Sequence, residues 1–168
     1  RTSKAAQDRQ QYQALIQRQG QALQQCRHQT WPQQQAIWLR LYPCDIQPQR
    51  LEGVLDRIAD QGYNQVFVEV FYDGRVLLPR SSNITAWPSV INEPGYENAD
   101  LLKQAIALGH SRGLSVSAWL FTLNFGYSYS NRADRQTALA RNGSNLTSLD
   151  LIQGETQVFI DPYHPQAR

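Results

Sequence analysis

Aromatic and polar side chains follow each apolar run that the sequence predicts as a strand. They are tyrosines, carboxylates, an amide, a hydroxyl and an arginine: Tyr42, Asp45, Tyr72, Asp73, Arg75, Thr122, Asn124, Tyr127 and Asp161. Aromatic rings stack on the C–H faces of sugars, and carboxylate, amide and guanidinium groups hydrogen-bond sugar hydroxyls. The pattern is typical of a sugar site, although such rings also occur as ordinary amphipathic residues near loops.

Another carboxylate lies inside a strand rather than after it. In FVEVF (67–71), Glu69 shares a face with two phenylalanines, where a carboxylate loses much of its water unless it is paired. If the aliphatic faces of the strands meet the helices, Arg40 points to the same side as Glu69 and at a similar height. We expect a buried Arg40–Glu69 ion pair that fixes packing, and the alternative is a substrate contact near the mouth of the site.

The elements that position these residues alternate strand and helix. Apolar runs predict strands at 36–42, 64–72, 114–121 and 157–162, and helical spacing predicts helices at 48–63, 98–113 and 133–143. Such alternation implies parallel strands joined by right-handed crossovers. The turn after the first strand, YPCDIQPQ, has no glycine, which favours a (β/α)8 TIM-type barrel over a dinucleotide-type open sheet.

A full barrel takes about 250 residues, so we expect residues 36–168 to form only its N-terminal half. The remainder of the barrel, or a partner chain, would then cover the open sheet edge. Residues 1–35 differ in composition, with 13 Gln. Their apolar spacing predicts an amphipathic helix packed on the domain or on a partner, and a flexible spacer is the alternative.

Composition argues against several classes of function. The net charge of +2 gives no case for nucleic acid, and no apolar run approaches the roughly 18 residues that would span a membrane. The sequence shows no metal-ligand spacing and no Gly-rich phosphate loop, so we expect neither a metal nor a cofactor. A disulfide between Cys26 and Cys44 is one hypothesis for an exported protein, and two buried thiols are the other.

Several motifs occur in an order that resembles the N-terminal half of the glycosyl-hydrolase-like 10 proteins, which are bacterial cell-envelope proteins frequent in cyanobacteria. The resemblance covers residues 36–168 and is carried by a Trp-bearing first strand and by Gly62-Tyr63-Asn64, Asp73-Gly74, Pro79-Arg80-Ser81, Gly109-His110 through Ala118-Trp119, and Asp161-Pro162 through His164-Pro165. Two positions depart from the family pattern as we know it, because Ser117 stands where His is usual and Asp161 where Asn is usual.

The resemblance implies a (β/α)8 barrel that hydrolyses glycosidic bonds of an envelope polysaccharide, with cell-wall glycan as one substrate, and a periplasmic or envelope location. It implies that the main catalytic acids lie beyond Arg168, which leaves Asp73 and Asp161 as weak local candidates and this fragment alone inactive. The residues expected to bind substrate are Tyr72, Asp73, Arg75, Trp119, Asn124, Asp161 and His164. The alternative is a non-catalytic glycan-binding or scaffold protein that reuses the barrel.

Overall fold

The computed structural model describes residues 2–29, 32–85, 87–141, 149–152 and 155–167. Its α-helices are α1 (Thr2–His28), α2 (Arg50–Asp60), α3 (Leu101–Ser111) and α4 (Tyr127–Ser130), and 3₁₀ helices occur at Pro43–Ile46, Ala133–Ala138 and Pro165–Ala167. The strands are β1 (Ala36–Leu39), β2 (Gln65–Tyr72), β3 (Arg75–Val76), β4 (Ser115–Leu120), β5 (Leu149–Ile152) and β6 (Glu155–Val158).

The central sheet has β2 in the middle, with β1 and β4 parallel to it on either side. Phe67 is level with Trp38 on β1 and with Ser117 on β4. The short strand β3 returns antiparallel to the end of β2. The predicted alternation of strand and helix is therefore confirmed as a mixed α/β fold, and the carboxyl ends of all three parallel strands meet at one edge.

The helices α2 and α3 cover one face of this sheet. The buried core between them is aliphatic and includes Leu51, Leu55, Val66, Val68, Leu101 and Ala105. Asp100 caps α3, because its carboxylate accepts a hydrogen bond from the Lys103 amide at 2.8 Å. The long segment after β3 also enters the core through Leu77, Val90 and Ile91, all nearly fully buried.

The prediction that residues 157–162 form a fourth strand of this sheet is wrong. Glu155–Val158 instead pairs antiparallel with β5, and Ile160 forms a separate antiparallel bridge with Leu139. Only two residues separate β5 from β6, so a local hairpin forms at a lower entropic cost than a distant parallel pairing. The predicted third helix is a 3₁₀ helix, and among the described residues no strand pairs with the outer edge of β1 or β4.

The predicted N-terminal helix is present as α1, but little of its attachment is apolar. The Tyr12 hydroxyl donates to Asp56 on α2 at 2.8 Å, and the buried Arg112 guanidinium donates to the same carboxylate at 2.7 Å. At Gly20 the helix backbone lies directly on the end of α3, because a Cβ there would be 2.7 Å from the Arg112 carbonyl carbon. The hydrogen bonds around Asp56 and the close backbone contact at Gly20 therefore hold α1 against α2 and α3.

The hypothesis of a disulfide is not supported, since no bond joins Cys26 to Cys44 and both residues are exposed. Cys26 lies next to Arg27, whose guanidinium donates to the Gly62 and Tyr63 carbonyls just before β2 begins. Cys44 lies in the 3₁₀ helix that follows the end of β1. Because β1 and β2 are parallel, the two thiols are held at opposite ends of the sheet, too far apart for a disulfide.

Replacing Gly20 tests how α1 is docked. Gly20→Ala should lower the free energy of unfolding by about 1–3 kcal/mol, because the added methyl meets backbone atoms that cannot move aside. Gly53→Ala is the matched control, since nothing lies within 4 Å of a Cβ at that helical position, and it should raise stability by up to about 1 kcal/mol. Urea denaturation measures both, and equal stabilisation by the two substitutions would refute the close contact.

Candidate functional site

Four side chains cluster where β1 and β2 end, and we call this group the strand-end cluster. It consists of Arg40, Tyr42, Glu69 and Tyr72. Strands β1 and β2 are parallel neighbours, so residues just after Leu39 lie beside the last residues of β2. The rings and the guanidinium group of the strand-end cluster lie at the edge of the sheet where parallel α/β folds carry their ligand sites.

The predicted ion pair is present within this cluster. Arg40 Nε lies 2.5 Å from Glu69 Oε2, and Arg40 Nη2 lies 3.1 Å from Oε1, so the contact is bidentate. The two partners differ in environment, since the Glu69 side chain is 3% exposed and that of Arg40 is 45% exposed. The hydrogen bond and the charge of Glu69 raise the pKa of Arg40, against the opposing effect of burial.

Two contacts fix the position of Tyr72, one at its hydroxyl and one over its ring. Its hydroxyl donates to the Leu41 carbonyl at 2.6 Å, and the Arg40 guanidinium carbon lies 4.9 Å from the ring centroid. Burial raises the pKa of Tyr72 to about 12, so the phenol stays neutral and keeps its proton for that hydrogen bond. The Tyr42 and Tyr72 rings meet at an angle of 61° with centroids 6.4 Å apart, and Tyr42 is 52% exposed, so part of its ring is accessible to a ligand.

A row of aromatic rings crosses the face of the sheet opposite the helices. Trp38 stacks on Phe67 at 5.6 Å and meets Trp119 edge-on at 6.5 Å, and Trp119 lies 4.4 Å from Phe121. Trp38 is 61% exposed and Phe121 44% exposed. The predicted substrate residue Trp119 therefore belongs to this row, which runs toward the strand ends.

Asp73 has a positioning role at the β2–β3 turn. Its two carboxylate oxygens accept hydrogen bonds from the Ser128 amide at 2.8 Å and the Ser128 hydroxyl at 2.7 Å. Asp73 adopts a left-handed backbone with φ of 51°, which Asp tolerates better than most residues. Gly126 lies so close that a Cβ there would be 2.6 Å from the Asp73 Cα. These contacts hold the β2–β3 turn against the loop after β4.

Next to this junction lies a cavity of about 440 Å³, which we call the arginine cavity. Its lining combines three arginines with aromatic and turn residues: Asp73, Gly74, Arg75, Trp87, Pro88, Ser128, Tyr129, Arg132, Arg135 and Pro165. The predicted residues Asp73 and Arg75 both border it. The Arg75 side chain is exposed and, among the described residues, makes no hydrogen bond or ion pair.

The remaining predicted residues shape loops around the cavity. The Asn124 side chain accepts a hydrogen bond from the Gly126 amide at 3.1 Å, and the Asp161 side chain accepts one from the Tyr163 amide at 2.9 Å. The His164 amide donates to the Asp161 carbonyl at 3.0 Å, immediately before Pro165 of the cavity wall. The structure shows all three in turn-forming roles, and their contact with substrate stays a prediction.

Sequence reasoning missed Trp87, Ser128, Arg132 and Arg135. They come from two separate segments, at Trp87 and at residues 128–135, which meet through the packing of loops on Phe71. Trp87 and Phe125 each lie edge-on to Phe71, at 5.2 Å and 5.3 Å. The sequence signal that could have revealed them was the aromatic residues of NFGYSYSN (124–131) and the two arginines, three positions apart, that follow this stretch.

The family model for glycosyl hydrolase-like 10 matches residues 22–168. The chain belongs to the glycosyl hydrolase-like 10 family. The match confirms the resemblance that the motifs from residue 36 onward carried, and it begins earlier, within α1. No curated protein is significantly similar to the chain. Membership of this glycosyl hydrolase-like 10 family indicates a function related to glycans.

No group of three or more His, Cys, Asp and Glu residues in the described part of the chain could hold a metal ion. No helix among the described residues is both long and apolar enough to cross a membrane.

The unequal burial of the ion pair predicts unequal effects of its two partners. Arg40→Met should lower the free energy of unfolding by about 3–5 kcal/mol, because it leaves the buried Glu69 carboxylate without its cation. Glu69→Gln should cost only about 1 kcal/mol, since the half-exposed Arg40 regains water and the amide can still accept a hydrogen bond.

Urea denaturation of both variants at pH 7 measures this difference. Arg57→Met, at an exposed position on α2, is the control for loss of an arginine and should change stability by less than about 0.5 kcal/mol. A Glu69→Gln variant that is less stable than Arg40→Met would contradict the account of the pair.

Proposed function

We propose that the protein acts as a glycoside hydrolase-like component of the bacterial cell envelope and that the carboxyl edge of its sheet binds a polysaccharide. Peptidoglycan glycan is the first candidate substrate. In this proposal residues 36–168 are the N-terminal half of a (β/α)8 barrel and supply part of the substrate cleft. Family membership and the parallel strand–helix order support the proposal.

The observation that carries the proposal is the strand-end cluster. Tyr42 is 52% exposed beside the more buried Tyr72 ring, and Arg40 lies over that ring with part of its guanidinium accessible. An accessible aromatic ring next to a fixed cation suits a sugar, whose C–H face can stack on the ring while its hydroxyls accept from the guanidinium group. The row from Trp38 to Phe121 extends this surface.

Hydrolysis of a glycosidic bond needs two carboxyl groups about 5–9.5 Å apart, one of them able to give a proton. Four carboxylates of the described residues lie at or near this edge of the sheet, and each already has partners. Glu69 is paired with Arg40 and Asp45 accepts from the Tyr42 amide. Asp73 accepts from Ser128, and Asp161 accepts from the Tyr163 amide. Their role in this proposal is to hold the strand ends and loops that bind and orient the glycan, with catalytic acids supplied from beyond Arg168.

The same engaged carboxylates favour a second candidate, a non-catalytic glycan-binding or scaffold protein of the envelope. The two candidates share the binding surface and differ in whether a bond is broken. Incubation of the full-length protein with peptidoglycan glycan strands, followed by measurement of new reducing ends, separates them. New reducing ends establish the hydrolase, whereas retention of intact glycan by the protein establishes the binding function.

Tyr42→Ala tests the binding surface itself. Removing this ring should weaken binding to peptidoglycan glycan strands by about five- to tenfold, corresponding to about 1 kcal/mol of lost stacking. The melting temperature should change little, because half of the side chain is already in water. Leu15→Ala, at a 62% exposed position on α1, is the control and should bind as wild type. Unchanged affinity in Tyr42→Ala would refute the proposed surface.

A further inference from the structure

The arginine cavity is built from segments that the β2–β3 turn and the loop after β4 bring together. Asp73, Gly74 and Arg75 form one side, and Ser128, Tyr129, Arg132 and Arg135 form another. The bonds from Ser128 to Asp73 join these sides. The cavity follows directly on Tyr72, so it continues the strand-end cluster along the same edge of the sheet.

The charges around the cavity do not cancel. Arg132 binds Asp134 through two hydrogen bonds, of 3.0 Å and 2.7 Å, and this holds the pKa of Asp134 below its usual range. Asp73 has both oxygens occupied by Ser128. Three arginines and one carboxylate, that of Asp73, line the cavity, and Asp134 binds Arg132 from outside the lining, so the cavity keeps an excess of positive charge.

Two of the three arginines have unused donors. Arg135 Nε is buried without a hydrogen-bond partner, and its nearest carboxylate oxygen, on Asp134, is 3.4 Å away. The Arg75 side chain makes no hydrogen bond or ion pair with the described residues. Arg135 Nε itself is enclosed by protein, but the Arg135 side chain is 27% exposed, so the rest of its guanidinium group can reach a ligand in the cavity.

The rest of the cavity wall is aromatic. The Trp87 and Tyr129 rings lie 5.3 Å apart, and the Arg135 guanidinium carbon lies 5.5 Å from the Tyr129 ring centroid, which helps to fix the orientation of that arginine. The volume of about 440 Å³ falls within the range of roughly 300–1,000 Å³ that is typical of small-ligand pockets. A ring-shaped ligand with one anionic group matches these features.

We infer that the arginine cavity is a subsite for a carboxylate-bearing sugar unit, whose carboxylate is bound by Arg75 and Arg135 while its ring packs against Trp87. This inference rests on the proposed glycan-binding function and narrows its substrate to an acidic saccharide. A planar guanidinium group matches a carboxylate through two parallel hydrogen bonds, and it also matches a phosphate, which the test below separates.

Calorimetric titration at low salt with trigalacturonic acid and with its fully methyl-esterified form tests the inference. The two probes share a backbone and differ in charge, so their affinity ratio isolates the carboxylates. We expect the acid to bind at least tenfold more tightly than the ester, with a ratio that shrinks as salt is added. Arg75→Gln should remove most of that ratio and leave the affinity for the ester unchanged.

Arg57→Gln, at an exposed position on α2, is the matched control and should keep the wild-type ratio. Arg135→Gln should also lose the preference for the acid over the ester. If Arg135→Gln fails to fold, Arg75→Gln alone decides the test, because Arg75 is exposed and its replacement should not disturb folding. Equal affinity for acid and ester, binding of neither probe, or a retained preference in Arg75→Gln would overturn the inference. Tighter binding of glucose 6-phosphate or of inorganic phosphate would overturn it in favour of a phosphate site.

The outcomes distinguish a failure of the acidic subsite from a failure of the proposed function. If the acid shows no preference over the ester while Tyr42→Ala still weakens binding to glycan strands, the acidic subsite fails and glycan binding stands. If Tyr42→Ala has no effect, the proposed surface fails whatever the acidic probes show.

Discussion

Glu69 is a carboxylate buried in the central strand, and the arrangement of the strand ends depends on how its charge is neutralised. Arg40, immediately after the neighbouring strand β1, supplies the cation through two hydrogen bonds. The same guanidinium group lies over the Tyr72 ring, and Tyr72 in turn binds the Leu41 carbonyl. One electrostatic requirement therefore aligns the ends of β1 and β2 and fixes the rings beside them, which is the pre-organisation that a sugar site needs.

A second set of contacts extends this ordered edge beyond the strands. Asp73 holds Ser128, and the missing side chain of Gly126 lets the loop after β4 lie directly on the β2–β3 turn. The loop places Tyr129 and the arginines of the cavity next to Arg75. The sequence suggested Asp73 as a substrate contact or a catalyst, whereas in the structure Asp73 helps to form the cavity by holding the loop after β4.

The sequence predicted the elements whose signals are periodic and local. Strands β1, β2 and β4 and helices α2 and α3 follow from apolar spacing, and the Arg40–Glu69 pair follows from the shared face of parallel strands. Contacts between distant segments left no such signal. The Gly20 contact with Arg112, the burial of Val90 and Ile91, the β5–β6 hairpin and the arginine cavity each depend on which loops meet in space.

The most direct test of the central claim is to observe which aromatic rings a glycan touches. In a protein with labelled aromatic side chains, titration with soluble peptidoglycan glycan strands should shift the ring resonances of Tyr42 and Trp119 in nuclear magnetic resonance spectra. The Tyr12 ring, which contacts Asp56 on the helical side, should not shift. Shifts confined to rings away from the strand ends, or no shift at Tyr42 and Trp119 at saturating glycan, would contradict the account.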